Sequence, residues 1–363
     1  MNGMRRHDQH AAGAHSDRFP VYQHIDLPVR YDLRSRIRWA TIPTPRSTGR
    51  SNGCTVFPQA NTDERSQRPG SLGAPQVMII TVTGSTGTIG SELVRLLSAA
   101  GAPARAVFRD AAKLQSLPGV AGVRADLRDN SLLEPAIAGT ARLFLLTDNQ
   151  RGFGDLQIRI VQTSASLGVS HVVKLSALGA SHHSKSWIGL EHRRVEDALE
   201  QTSMSSTILR PHAFMQNWLG DVAESVRARN VIESPVGDGR VPFIDTRDIA
   251  AVAAEVLLHP EGHAGRRYVL TGGEPVGYHD LAASIAKASG RTVTYHPLTM
   301  EEARARLQAR GVPSDQIDAQ LAIAAYQKAG GPTSVVSEDV RRILGRAPRT
   351  IDDFVADHLR SFD

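Results

Sequence analysis

Three evenly spaced glycines define the first chemistry open to this chain. Gly84, Gly87 and Gly90 stand in the run Gly84-Ser85-Thr86-Gly87-Thr88-Ile89-Gly90. Residues 77–83 ahead of them are β-branched and apolar, the pattern of a strand buried on both faces. Ser91–Ala100 behind them carries apolar residues at helical spacing, and Gly101 stops it. Strand, glycine turn and helix together make a pyrophosphate site. Gly84 permits the tight turn, Gly87 lets backbone approach the phosphates, and Gly90 lets the helix pack on the strand. The helix N-terminus then faces the anion. The spacing is GxxGxxG rather than GxGxxG, so the flanking elements carry the assignment.

A second candidate follows from counting. Sites that prefer NAD place an acidic residue about 20 positions past the glycines to hold the ribose hydroxyls. That count lands on Arg109, at the end of Ala104–Phe108. A guanidinium suits a 2′-phosphate, which favours NADPH over NADH. Asp110 beside it is the competing ribose acceptor. Two histidines are candidates for catalysis. His192 is either a general acid or a solvated member of Glu191-His192-Arg193-Arg194. His212, just after Pro211, either points at the nicotinamide or is packed and bonded to backbone. Asp245 and Asp248 read as turn and cap residues, and Phe214, Met215 and Trp218 as pocket wall and core. His182-His183 alone makes no metal site, and no metal is expected. The glycine turn is not the Gly-x-Ser-x-Gly elbow of a Ser/His/Asp hydrolase.

The elements that must position these residues alternate β and α. Strands are expected at 104–108, 120–125, 142–147, 171–175 and 207–210, with helices at 111–117, 131–138, 155–167 and 187–200 between them. This predicts a Rossmann-type, doubly wound parallel sheet over 77–211, with ligands beyond the carboxyl ends of its strands. The loop at Asp126-Leu127 falls where such folds place the adenine. Thr147-Asp148-Asn149 should open on the same crevice. After Pro211 the pattern loosens. Helices are expected at 214–229, 246–259 and 278–289 and strands at 268–271 and 294–296, while 299–329 and 337–361 read as mainly helical. Residues 212–363 therefore form a smaller mixed α/β substrate or lid region, interleaved with the Rossmann core.

Composition narrows the partners. The net charge of +5 sits in residues 1–76, which hold 11 Arg, no Lys and 6 acidic residues. The remainder holds 31 basic and 31 acidic residues, so it offers no electrostatic case for nucleic acid. No apolar run reaches the length of a membrane helix, and no membrane partner is expected. The single cysteine, Cys54, excludes an intramolecular disulfide and fits a reducing cytoplasm. Residues 1–76 hold seven Pro and no sustained periodicity, so they read as disordered, without a secretory signal. Val29–Trp39 is faintly amphipathic and basic. Met78 stands where a compact dinucleotide-binding protein would begin. The tail then reads as an extension or a wrongly chosen start, and a chain begun at Met78 should keep its cofactor affinity.

Five motifs come in an order that resembles a known family. They are GSTGTIG from Gly84, Ala125-Asp126-Leu127, Val172–Ala177, Ile208–Asn217, and Phe243–Ala250. Together they resemble the NmrA-like family, an atypical branch of the short-chain dehydrogenase/reductase superfamily. Within it the chain is similar to NAD(P)H-dependent quinone reductases and azoreductases. The resemblance implies that Gly84, Thr86, Gly87, Thr88, Ile89 and Gly90 hold the pyrophosphate and Arg109 the 2′-phosphate. It places Asp126 and Leu127 at adenine, and Leu146 and Thr147 along the ribose. Ser176 falls near the nicotinamide, with Pro211, His212 and Phe214 lining that pocket.

One departure matters. The superfamily's Tyr-x-x-x-Lys pair is missing, and residues 170–200 contain no tyrosine. The nearest substitute is His192-x-x-x-Glu196. The lysine that isoflavone-reductase-like relatives carry at this helix start is Ile188 here. Carbonyl reduction with a tyrosine donor is thereby weakened. Hydride transfer from NADPH to a quinone-like, azo or other conjugated electrophile asks less of the protein. The alternative is a non-enzymatic NAD(P)-binding sensor that acts through a protein partner, as the family's regulator implies. A monomer or homodimer suits either.

Overall fold

A computed structural model describes residues 78–110 and 116–363. The expectations for residues 1–76, including Cys54, and for most of the helix at 111–117 lie outside the described residues. The strands are β1 (Ile79–Val82), β2 (Ala104–Phe108), β3 (Val120–Arg124), β4 (Thr140–Leu145), β5 (His171–Leu175), β6 (Ser205–Pro211), β7 (Val231–Ser234), β8 (Arg267–Leu270) and β9 (Thr294–Pro297). Seven of them form one parallel sheet in the order β3-β2-β1-β4-β5-β6-β8. The order reverses between β1 and β4, which opens a crevice at their carboxyl ends. Thr83 holds that point together. Its Oγ1 donates to the Leu146 carbonyl at 2.8 Å and accepts from the Leu146 N–H at 2.9 Å.

The helices are α1 (Thr88–Ala99), α2 (Asn130–Ile137), α3 (Phe153–Ser166), α4 (Trp187–Glu200), α5 (Asp221–Arg229), α6 (Thr246–Leu258), α7 (Tyr278–Ser289), α8 (Met300–Ala309), α9 (Ser314–Ala329), α10 (Asp339–Leu344), α11 (Ile351–Asp357) and α12 (Leu359–Phe362). They cover both faces of the sheet. On one face Leu93 and Leu97 of α1 and Ile249, Val252 and Val256 of α6 pack on Ile80, Phe144 and Val173. On the other, Ile137 of α2, Ile160 of α3 and Val195 and Leu199 of α4 pack on Leu143, Leu145, Val172 and Ile208. Neighbours in one strand thus alternate between two cores. Each fully buried Leu, Ile or Val contributes about 1.5–3 kcal/mol.

The later half departs from the sequence pattern in three ways. The single helix expected over 214–229 is broken at Gly220 into a short 3-10 turn, Met215–Leu219, and α5. The strand expected at 268–271 is the seventh strand of the main sheet, where Arg210 and Pro211 register with Val269 and Leu270. β7 was not anticipated, and it pairs with β9 in a separate two-stranded sheet. Trp218, Phe243, Phe354 and Phe362 fill the core around that sheet. Asp245 caps α6 by accepting from the Arg247 N–H at 2.8 Å. Asp248 does more than complement the helix dipole. It is buried, and it accepts from Arg346 Nη2 and the Arg349 N–H, each at 2.7 Å, which pins the C-terminal segment to α6. Among the described residues, no helix is long and apolar enough to cross a membrane.

Candidate active site

A cavity of about 670 Å3 lies at the carboxyl ends of the parallel strands. The turn after β1 contributes Gly84, Thr86, Gly87, Thr88 and Ile89. Arg109 follows β2, and Asp126 and Leu127 follow β3. Leu146 and Thr147 follow β4, Ser176 follows β5, and β6 leads to Pro211, His212 and Phe214. The residues expected to hold a dinucleotide are thus brought to one wall, with one exception. Gly90 does not line the cavity. A Cβ there would stand 2.2 Å from the Gly84 carbonyl oxygen, so Gly90 packs beneath the turn.

The turn itself is tight and its helix start is left open. Gly84 has φ +64°, and a Cβ on it would meet the Leu146 carbonyl oxygen at 2.9 Å. No side chain caps α1, and its first turn carries no acidic residue. The leading N–H groups of a helix have no intrahelical partners, so they offer donors and a positive dipole end to a phosphate.

The opposite rim carries two arginines held by carboxylates. Arg109, with a side chain 57% exposed, lies 3.3 Å from Asp148. Arg128 reaches the same carboxylate at 3.0 Å and also Gln150 at 3.2 Å. Both arginines line the cavity, side by side around Asp148. Sequence reasoning missed Arg128. It stands next to the anticipated Asp126-Leu127, and its proximity to Arg109 follows only from the parallel pairing of β2 with β3.

The inner end is apolar and carries imidazoles. His192 lines the cavity but is only 4% exposed, which excludes the solvated alternative. Its ring packs 4.9 Å from that of Phe153, and Nδ1 stands 3.1 Å from Nζ of Lys174. Burial lowers His192 to about 2, helped by the Lys174 charge. Burial likewise lowers Lys174 to about 7, against an opposing pull from Glu196. His212 lines the cavity and meets the packed, backbone-bonded alternative, its Nδ1 accepting from the Ala213 N–H at 2.6 Å. Its Nε2 therefore carries the proton. That atom is buried without a well-formed hydrogen bond. Burial lowers His212 to about 4, while the nearby Thr333 backbone works the other way.

His192 and Glu196 share the buried side of α4 but do not pair with each other. Glu196 is 1% exposed and is held by Ser176 Oγ at 2.6 Å, Arg210 Nε at 3.0 Å and Arg193 Nη1 at 3.1 Å. Burial pushes this carboxyl up, but those hydrogen bonds and charges outweigh it and hold it below its ordinary value. Ser176 lines the cavity with its hydroxyl proton already committed to Glu196. Among the described residues no tyrosine lines the cavity. The two imidazoles and the exposed Asn217 are among the groups that could orient a ligand or move a proton there.

Comparison with known proteins agrees with this construction. An NAD(P)H azoreductase of Xenophilus azovorans is 34% identical over 286 residues, 78% of this chain and 99% of the relative. A (4-alkanoyl-5-oxo-2,5-dihydrofuran-3-yl)methyl phosphate reductase of Streptomyces griseus is 32% identical over 78% of this chain and 99% of its own. The crystal structure of an NADPH-dependent quinone oxidoreductase from Escherichia coli, solved with NADPH, superimposes with a TM-score of 0.69. It is 26% identical and covers 77% of this chain and 99% of that one. The NmrA-like family model matches residues 77–354, and the chain belongs to that family.

Proposed function

We propose that this protein is an NADPH-dependent reductase of quinone-like, azo or other conjugated electrophiles. One observation carries the reading. A single cavity runs from an uncapped helix N-terminus, past two arginines, to an apolar end with two buried imidazoles and no tyrosine. Its volume suits a cofactor and a small acceptor together. A dinucleotide fits the residues present. The first turn of α1 would hold the pyrophosphate, Arg109 and Arg128 the 2′-phosphate, and Asp126 and Leu127 the adenine. Leu146 and Thr147 would flank the ribose. Pro211 and Phe214 would wall the nicotinamide, with His212 beside them.

Reduced nicotinamide, when bound, supplies a hydride. The protein orients the acceptor against it, keeps water out with Leu156, Pro211 and Phe214, and supplies a proton where the acceptor needs one. The two relatives described above, each matched over nearly its whole length, are named as reductases, of azo compounds and of a conjugated ring, and this supports the same acceptor class. The partner is then a small electrophile, and a monomer or homodimer in a reducing cytoplasm suffices. The test is oxidation of NADPH, with NADH alongside, against a panel of quinones and azo dyes. Saturable turnover that prefers NADPH is expected. Tight NADPH binding with no turnover across the panel would overturn the reading in favour of a sensor.

A further inference from the structure

Lys174 is completely buried in the wall behind the cavity. An ammonium in that position costs several kcal/mol unless hydrogen bonds and charges offset the loss of water. Its hydrogen-bond partners are not carboxylates. Nζ donates to the Leu175 carbonyl and lies 3.1 Å from Nδ1 of His192. Glu196 attracts it through space, but that carboxylate is bound by Ser176, Arg193 and Arg210. Glu196 and Arg193 on α4 and Arg210 on β6 are the charged groups around the pair. His192, in turn, lines the cavity. Two hydrogen-bonded groups therefore lead from an ammonium in the core to the place where an acceptor would sit.

The direction of the hydrogen bond is set by the chemistry of the groups. An ammonium has only donors, so Nδ1 of His192 accepts and the neutral ring carries its proton on Nε2. We propose that Lys174 and His192 form a proton relay for the reductase activity inferred above. As the acceptor takes up a hydride, Nε2–H of His192 passes to the anion so formed, and Nδ1 takes a proton from Lys174 Nζ. For a quinone, two electrons and one proton arrive as hydride, the second proton arrives from the relay, and hydroquinone leaves. Nζ is then a neutral amine, and the ring is protonated on Nδ1. Uptake of one solvent proton at Nε2, with return of the Nδ1 proton to Nζ, resets the pair.

The division of labour follows from burial. His192, lowered to about 2, holds no extra proton at neutral pH and acts as the conductor. Lys174, lowered to about 7, stores a proton that it can release there. Lys174 is thus a positioning and storage residue that acts through His192.

The choice of acceptor tests this. A cationic triarylmethane dye becomes neutral on taking hydride and needs no proton, whereas a quinone needs one. Both would be followed with saturating NADPH in wild type, Lys174→Met and His192→Gln. The quinone-to-dye rate ratio at neutral pH should fall about 100-fold or more in each variant, the range of lost acid catalysis. The wild-type quinone rate should fall as pH rises through about 7, a limb absent from Lys174→Met. A readout without turnover is 13C-lysine NMR of the cofactor-free protein. A Lys174 side-chain resonance should titrate near neutrality and vanish in Lys174→Met, which removes a buried charge and should fold. Titration at an ordinary lysine pH would overturn the relay, as would an unchanged ratio with the pH limb retained. If wild type binds NADPH but reduces neither acceptor, the reductase reading falls and the relay with it. If it reduces both and the variants slow both equally, the relay alone falls.

Discussion

Gly90→Ala and Gly87→Ala separate two jobs within one turn. A Cβ on Gly90 would stand 2.2 Å from the Gly84 carbonyl oxygen, 2.8 Å from its carbon and 3.0 Å from Ser85 Cα. A carbon–oxygen contact normally closes to about 3.3 Å, so helix and turn must part by roughly 1 Å. All three atoms are backbone, and no side chain can swing aside. The turn cannot yield toward β4, because Gly84 already abuts the Leu146 carbonyl. Overpacking of this kind costs about 1–3 kcal/mol, and the helix preference of Ala over Gly returns about 1 kcal/mol. A net loss of up to about 2 kcal/mol lowers Tm by up to roughly 8 °C. The displaced helix also takes its N–H donors from the phosphate. Losing one charge-assisted hydrogen bond, worth about 1.5–3 kcal/mol, weakens NADPH binding roughly 10–100-fold. Gly87→Ala is the control. Its Cβ would meet nothing closer than 3.4 Å, yet it would point from a cavity-lining residue. The apo Tm should shift by no more than about 1 kcal/mol's worth, the cost of Ala for Gly at an N-cap, while NADPH affinity falls. Calorimetric unfolding and NADPH titration read both. Gly90→Ala with wild-type Tm and affinity would refute the packing argument, and Gly87→Ala with wild-type affinity would place the pyrophosphate elsewhere.

Other perturbations follow from the same geometry. Arg109→Ala and Arg128→Ala should each weaken NADPH binding about 5-fold and NADH binding less than about 2-fold, since each removes an exposed charge-assisted contact; equal loss for both cofactors would remove the 2′-phosphate assignment. His171 is 2% exposed and hydrogen-bonded to Thr207 at 3.0 Å. Burial, with the charges of Arg142 and His263, lowers it from 6.5 to about 4. The unfolded chain therefore takes up this proton first. Stability is full above pH 6.5 and falls by about 2–3 kcal/mol as pH drops toward 4. His171→Gln should flatten Tm over that window, and an unchanged slope would assign the acid loss to other groups. Asp248→Asn should cost about 2–4 kcal/mol by leaving Arg346 and Arg349 without their shared carboxylate. A shift below about 0.5 kcal/mol in chemical denaturation would show that the C-terminal segment is held by other contacts.

The glycine turn and the strand ends were legible because each depends on local pattern. β2, β5, α4 and α7 have the bounds that periodicity assigns to them. The elements after Pro211 were harder to place, because there neighbours in space are distant in sequence. β8 is short and ordinary, and only its pairing with β6 makes it part of the main sheet. Gly220 breaks a helix that propensity would continue, and nothing in a 3.6-residue period marks the change to a 3-10 turn. Arg128 reaches the cavity rim beside Arg109 through the parallel register of β2 and β3, a pairing that no local window contains.

Lys174 was the more instructive omission. In Val172-Val173-Lys174-Leu175 a lysine looks like the solvated face of a strand, and alternation alone supports that view. The same sequence also predicts a sheet covered by helices on both faces, and in such a sheet a central strand has no solvated face. Parity then decides the rest. Lys174 shares its face with Val172, which packs under α3 and α4, and the side chain must end among residues of α4. His192 and Glu196, four apart on that helix, both turn inward to meet the same region. A buried lysine opposite two inward polar residues was therefore implied by fold class and parity before any coordinates were known. The general rule is to ask of every charged residue in a central parallel strand which helix it faces. Here the answer leads from a strand of the motif Val172–Ala177 to the pair proposed to supply the site with a proton.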